Sequence, residues 1–232
     1  MQKKYKKILT FLGATILFIA LFVLWFNRVP ERTIPKDPHL IVSPANGKVI
    51  AILHEEDAIL DFVKKGIENE MYIPKIQPPY QAVVIEMNIW NVHAQRSPLT
   101  GVVEDKRFVP GKFANAVFSN EKEYLARENE KMIHIIGNES IRVGVIQVAG
   151  ILARRIQSFV EPGDSLKKGE VFGRILLGSQ VVVILPEEIP LKTKVGDIVI
   201  DGESVIAEIP ATIPRGIQEI PLSNKQQNAY VQ

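Results

Sequence analysis

The chain contains no cysteine, which excludes disulfides, thiol nucleophiles, thiolate zinc sites and iron–sulfur clusters together. Histidine is scarce. His39, His54, His93 and His134 lie far apart, with no His-Glu-x-x-His or similar metal-binding spacing. An excess of one charge is also missing: 28 Lys and Arg against 26 Asp and Glu leave a net +2. No Lys/Arg stripe is interleaved with aromatics, so nucleic acid is not expected as a partner. What the chain does have is 46% hydrophobic residues beside 23% charged ones over 232 residues. That is enough to bury a core, in one domain with extras or two small ones.

Residues 8–26, ILTFLGATILFIALFVLWF, form an uncharged apolar run of 19. As a helix it matches a hydrocarbon core about 30 Å thick, with Trp25 and Phe26 at the end where interfacial aromatics belong. Lys3, Lys4, Lys6 and Lys7 precede it, as in the n-region of a signal peptide. The run is long, however, and Asn27-Arg28-Val29-Pro30 follows where a small-x-small cleavage site would stand. Residues 1–28 are therefore expected to be an uncleaved anchor, and the protein to reside at the cell membrane. Residues 29–39, with Pro30, Pro35 and Pro38, are expected to link the anchor to a domain over 40–209. The polar stretch 210–232 is expected to be a loosely ordered tail.

Within 40–209 the pattern is strand-like. Residues 40–53, 80–90, 140–152, 170–178, 180–186 and 197–209 are β-branched runs bounded by Gly, Pro, Asn and Asp. Residues 55–66 and 150–157 are the best helical candidates. The fold class expected is mostly β (α+β), an amino-terminal membrane helix followed by a β-rich domain. One repeat is internal: Gly163-Asp164-x4-Gly169-Glu170 returns 33 residues later as Gly196-Asp197-x4-Gly202-Glu203. Strand, tight turn and strand are implied, with glycines free to take positive φ. Two such hairpins suggest a pseudo-symmetric sandwich of the barrel-sandwich or hammerhead kind.

Gly178-Ser179 lies between two strand-like runs, LLGSQVVVILP. A glycine before serine exposes its carbonyl and tolerates strained backbone. A serine Oγ held against that carbonyl can exchange the peptide bond for an ester. Elimination then leaves dehydroalanine, and hydrolysis leaves a pyruvoyl group at a new amino terminus. Gly-Ser alone is also an ordinary hairpin turn. In NVHAQRSPLTG (91–101), His93 is a candidate base for such a serine, or a histidine satisfied by its own loop.

An ordered series of segments resembles the short type of the phosphatidylserine decarboxylase family. FNRVPERTIP (26–35), SPANGKV (43–49), NVHAQRSPLTGVV (91–103), PGKFANA (110–116), NEK (129–131), QVAGILARRI (147–156), VEPGDSLKKGEVFGRILLGSQVVVILP (160–186) and KVGDIVIDGESVIAEI (194–209) carry it. The resemblance implies cleavage between Gly178 and Ser179, giving a zymogen-derived β chain of residues 1–178 and an α chain of 179–232. It implies a covalent pyruvoyl cofactor made from Ser179, which acts as electron sink while a phospholipid substrate, phosphatidylserine, loses CO2 to become phosphatidylethanolamine. His93 is implied as the base for self-cleavage and the proton carrier in decarboxylation. Asn46 is implied as the third catalytic position, which orients His93. Arg96 stands where short members carry Arg.

Four departures bear on the chemistry. Asn46 and Asn91 replace aspartates of the family pattern, Lys131 replaces an arginine, and Gln180 follows Ser179 where members often carry Ser, Thr or Arg. An amide can hold an imidazole but does not stabilise imidazolium, and in serine proteases the analogous change lowers turnover by roughly 10⁴. The chain then reads as a slow enzyme, an impaired relative, or one using another carboxylate such as Glu86, Glu130 or Asp105. A non-enzymatic reading also fits the coarse pattern, a membrane-anchored barrel-sandwich adaptor. Such adaptors carry a long helical hairpin, and swinging-arm carriers a lysine at a hairpin tip; neither pattern is seen here. Topology is left two-sided. The four lysines put the domain outside, whereas the resemblance puts its work at the cytoplasmic face.

Overall fold

The computed structural model describes residues 2–56, 59–64, 67–73, 75–110, 130–149, 156–176 and 179–211. Helix α1 (Gln2–Phe26) is followed by β1 (Leu40–Val42), β2 (Gly47–Glu55), β3 (Ile59–Lys64), β4 (Ile67–Tyr72), β5 (Tyr80–Met87), β6 (Ala94–Arg96), β7 (Gly101–Val109) and β8 (Lys131–Gly137). Then come β9 (Arg142–Ala149), β10 (Ile156–Ser158), β11 (Ser165–Leu166), β12 (Val171–Ile175), β13 (Ser179–Pro186), β14 (Ile198–Val199) and β15 (Val205–Glu208). The expected mostly-β fold behind an apolar helix is the one observed. Eight strands form one antiparallel sheet in the order β11-β7-β8-β9-β13-β5-β2-β14, curled into a half-barrel.

The central strands are apolar on both faces, and their alternation divides them between two cores. Val181, Val183 and Leu185 of β13 join Val83, Ile85, Val143 and Val145 in the larger core. Ile184 joins Ala82, Ile133, Ile135 and Ile146 in the other. Burial on both sides explains why β13 reads as a continuous run, Val-Val-Val-Ile-Leu, rather than an alternating one.

The repeat seen in the sequence is half of a larger pseudo-twofold. All four of its glycines have positive φ: 100° at Gly163, 80° at Gly169, 101° at Gly196 and 76° at Gly202. Each hairpin docks on a Ser-Pro-x-x-Gly-x-Val segment. Gly202 N–H donates to Ser43 O and Gly196 N–H to Val49 O, both at 2.8 Å. In the other half, Gly169 N–H donates to Ser97 O and Gly163 N–H to Val103 O, again at 2.8 Å. The segments SPANGKV and SPLTGVV thus match at an offset of 54 residues, a repeat as legible as the glycine one. They also clasp each other, since Val42 N–H donates to Pro98 O and Arg96 N–H to Pro44 O.

Residues 29–39 have no regular structure, yet they are tied to the pseudo-axis and do not hang as a spacer. Ile34 lies against both Gly169 and Gly202. Arg32 pairs with Asp201, which is fully buried and also takes Arg96 Nε at 2.8 Å.

One helical expectation is overturned. In place of a helix over 55–66, β2 runs to Glu55 and Ile59–Lys64 pairs antiparallel with Ile67–Tyr72. Ile59, Phe62 and Val63 suit a helix face by spacing, but a short apolar run is ambiguous, and six paired cross-strand positions decide it. Of the candidate at 150–157, residues 150–155 lie outside the described residues, and 156 onward is strand β10. The tail from 212, and most of 110–130, also lie outside them.

Candidate active site

Two edges of the fold converge where β5 ends and β13 begins. Ser179 opens β13 and stands opposite Met87 on β5 and Ala149 on β9. Gly178 lies outside the described residues. Six residues after Met87 comes His93, just before β6. Its carbonyl accepts from Ile175 N–H at 3.1 Å, at the end of β12. Ser179 follows Ile175 by four residues, which limits the Cα separation of those two to about 14 Å. The backbone therefore holds His93 and Ser179 at one end of the sheet from two directions.

A buried polar line backs His93. Gln95 donates through Nε2 to His93 O at 2.9 Å, and Gln147 donates to Gln95 Oε1 at 2.8 Å. Both glutamines are fully buried. The Gln95 amide also lies 3.8 Å from Met87 Sδ, the residue opposite Ser179.

The His93 ring is only 1% exposed. Its Nδ1 lies 3.0 Å from the carbonyl of Asn91. A carbonyl only accepts, so Nδ1 carries the proton and Nε2 presents a lone pair. Nε2 is buried and has no hydrogen-bond partner among the described residues. Burial drives the His93 pKa down from 6.5 to about 4; the bond to Asn91 pulls upward and the Arg28 charge adds to the lowering. The imidazole is thus neutral near pH 7, a base whose conjugate acid is destabilised by about 3 kcal/mol.

The two amides that stand in place of aspartates meet. Asn91 Nδ2 donates to Asn46 Oδ1 at 2.6 Å, and Asn91 Oδ1 accepts from Asn88 N–H at 2.7 Å. Asn46 hence reaches His93 through Asn91, whose carbonyl holds the ring. Of the substitute carboxylates, Glu130 accepts from Ile156 N–H, Asp105 of β7 stands opposite Ile135 of β8, and Glu86 neighbours Gln180 across β5 and β13. No carboxylate is hydrogen-bonded to the His93 ring among the described residues.

Sequence reasoning missed the helix end. Phe26 is 4% exposed and stacks on His93, ring centroids 4.2 Å apart at 33°. Arg174 Nη1 donates to Asn27 Oδ1 at 2.8 Å, and Arg28 Nη2 donates to Trp90 O at 3.0 Å. The run 8–26 signalled only an anchor; that its last residue is a core residue of the domain had no signal in hydropathy. Arg96 is a buried clamp, bonding Asp201, Gly169 O and Pro30 O.

The family model described as phosphatidylserine decarboxylase matches residues 19–207. The chain is 37% identical over 203 residues to a phosphatidylserine decarboxylase proenzyme of Desulfotalea psychrophila, covering 88% of this chain and 85% of that one. A proenzyme of the same name from Oleidesulfovibrio alaskensis is 35% identical, over 85% of this chain and 82% of the relative. One from Xanthobacter autotrophicus is 36% identical, over 89% and 82%. The chain belongs to the phosphatidylserine decarboxylase family. That membership makes it a decarboxylase and does not favour the adaptor reading.

Proposed function

We propose that the chain is a self-processing, pyruvoyl-dependent phosphatidylserine decarboxylase, held at a membrane by α1. The observation that carries this reading is His93, with a buried and unpartnered Nε2 at the end of the sheet where β13 begins with Ser179.

In the self-cleavage, His93 Nε2 takes the Ser179 proton while Oγ adds to the Gly178 carbonyl. The peptide nitrogen leaves and takes a proton, and an ester joins residues 178 and 179. Loss of the Cα proton of residue 179 then breaks its Cβ–O bond, freeing the Gly178 carboxylate. The dehydroalanine left behind takes up water and loses ammonia to give the pyruvoyl group. Strand β13 pairs with β5 along its whole length and with β9 from Ser179 to Ile184, so the chains 1–178 and 179–232 would stay assembled after the cut.

The residues present suit the group. The new terminus would head strand β13, at the end of the sheet that also holds a dry histidine able to hold and return one proton. When formed, the pyruvoyl group supplies an electron sink for loss of CO2 from the amino-acid headgroup. His93 carries the proton to the product carbon, and its neutral state leaves Nε2 ready for each turnover. The amides Asn46 and Asn91 bring no negative charge to the imidazolium, which favours slow processing.

The test is the full chain in phosphatidylserine-containing vesicles, followed by electrophoresis and by phosphatidylethanolamine formation. Wild type should appear as two chains and form phosphatidylethanolamine. Ser179→Ala should remain one chain without activity. Decarboxylation by Ser179→Ala would refute the reading.

A further inference from the structure

The helix exit and the loop before His93 make one continuous apolar surface. Trp90 is 64% exposed, Val29 46% and Ile89 40%. These are side chains that a water-facing loop has no reason to display together. Trp90 packs edge-on against Trp25, with ring centroids 5.6 Å apart. Arg28 lies 4.0 Å over the Trp25 ring and donates to the Trp90 carbonyl. The loop is pinned: Trp90 N–H donates to Asn88 Oδ1 at 2.9 Å, and Asn91 N–H to Asn88 O at 3.1 Å.

The length of the helix fixes the depth of this surface. From Ile8 to Phe26 a helix rises about 28 Å, close to one hydrocarbon core of about 30 Å. With Lys7 at one boundary, Trp25 falls at the other, the depth that tryptophan prefers. Trp90 touches Trp25 and so shares that depth.

We infer that Ile89 and Trp90 form a second, interfacial contact with the lipid bilayer beside the helix exit, placing the mouth of the His93 centre at the headgroup plane. The inference rests on the anchor reading of α1. It adds that the domain does not hang free below the helix but lies against the membrane through the loop that joins Met87 to His93. Indole suits this position because its apolar body and its N–H find partners on the two sides of the interface. Arg28, held between the two tryptophans, sits where lipid phosphates are. A substrate headgroup would then reach the centre without leaving its bilayer, since Phe26 at the end of the span already touches the His93 ring.

The full chain has two tryptophans, Trp25 and Trp90, so Trp25→Phe isolates one and Trp90→Phe the other. Each is reconstituted in phosphatidylcholine vesicles whose acyl chains carry bromine at a shallow position. Trp25 emission reports the anchor, and self-cleavage on a gel reports the decarboxylase reading, so those fail separately from this inference. Trp90 emission should be lost to brominated lipid as strongly as that of Trp25, and be shielded from aqueous acrylamide. Trp90 that is unquenched by bromine overturns the inference. If it is open to acrylamide, the loop faces water; if it is shielded, a protein covers it. Should either Trp variant fail to fold, Ile89→Cys gives the same answer, because the chain has no other cysteine. A polarity-sensitive label there should shift to the blue and be quenched in brominated vesicles, and an unshifted label overturns the inference.

Discussion

Restoring a carboxylate at position 46 should speed self-cleavage, by an amount set by its indirect path to the ring. In Asn46→Asp the carboxylate keeps the Asn91 Nδ2 donor now 2.6 Å away, and Asn91 keeps its carbonyl on His93 Nδ1. The new charge thus lies one residue's width from the imidazole, on the order of 7 Å. At an effective dielectric of about 20 it attracts imidazolium by about 2 kcal/mol, which raises the His93 pKa by roughly 1.5 units from its present value of about 4. The barrier to forming imidazolium falls equally, so the full-length band should disappear roughly 30-fold faster. Direct contact, as in a protease triad, would instead give roughly 10⁴. The double variant Asn46→Asp/Asn91→Asp sets two carboxylates where the two amides now touch; one takes a proton, and part of the gain should be lost. The assay is the first-order rate of band disappearance over a pH series, with His93→Ala as the background. An unchanged or slower rate in Asn46→Asp refutes the path through Asn91, as does a gain that survives in His93→Ala.

Asp201→Ala removes the one carboxylate shared by Arg32 and Arg96, and the buried, uncompensated Arg96 should cost about 3–5 kcal/mol in denaturant titration of the detergent-solubilised chain. Gly169→Ala adds a Cβ at φ +80°, driven into the Ile34 side chain, and should cost about 2–4 kcal/mol. Gly163→Ala, at φ +100° with open space around it, should cost only the backbone share of about 1 kcal/mol. Stability should fall steeply on acidification. His93 and His134 are both lowered by burial to about 4, so between pH 6.5 and 4 the unfolded chain binds protons that the folded one refuses, and each site withdraws up to about 3 kcal/mol as pH falls through that window. A flat acid limb in a thermal-melt series would contradict this.

Much of the fold was legible because it is built from repeats with fixed chemistry. The glycines at 163, 169, 196 and 202 announce turns that need positive φ, and all four adopt it. The strands at 80–87, 142–149 and 180–186 carry β-branched runs that nothing else would bury. Strand β7 was hidden because Glu104, Asp105, Lys106 and Arg107 interrupt its pattern, although Val103 is fully buried. The hairpin at 59–72 was hidden because Ile59-Leu60 and Phe62-Val63, split only by Asp61, are too short a run to choose between periods. At the site, the residue types were legible and their connections were not. Asn46 and Asn91 are 45 positions apart, and the pairing of β2 with β5, where Lys48 stands opposite Glu86, brings their segments together. Phe26 carries the signal of an interfacial aromatic, because hydropathy cannot separate the last turn of a span from the first residue of a core.

Everything proposed for the site depends on the chain cutting itself before Ser179. The intact mass of the purified full-length protein under denaturing conditions tests it most directly. Self-cleavage gives two species, residues 1–178 ending in a free carboxylate, and residues 179–232 beginning with a pyruvoyl group that resists amino-terminal sequencing. A single species at the mass of all 232 residues, unchanged after prolonged incubation, would contradict it.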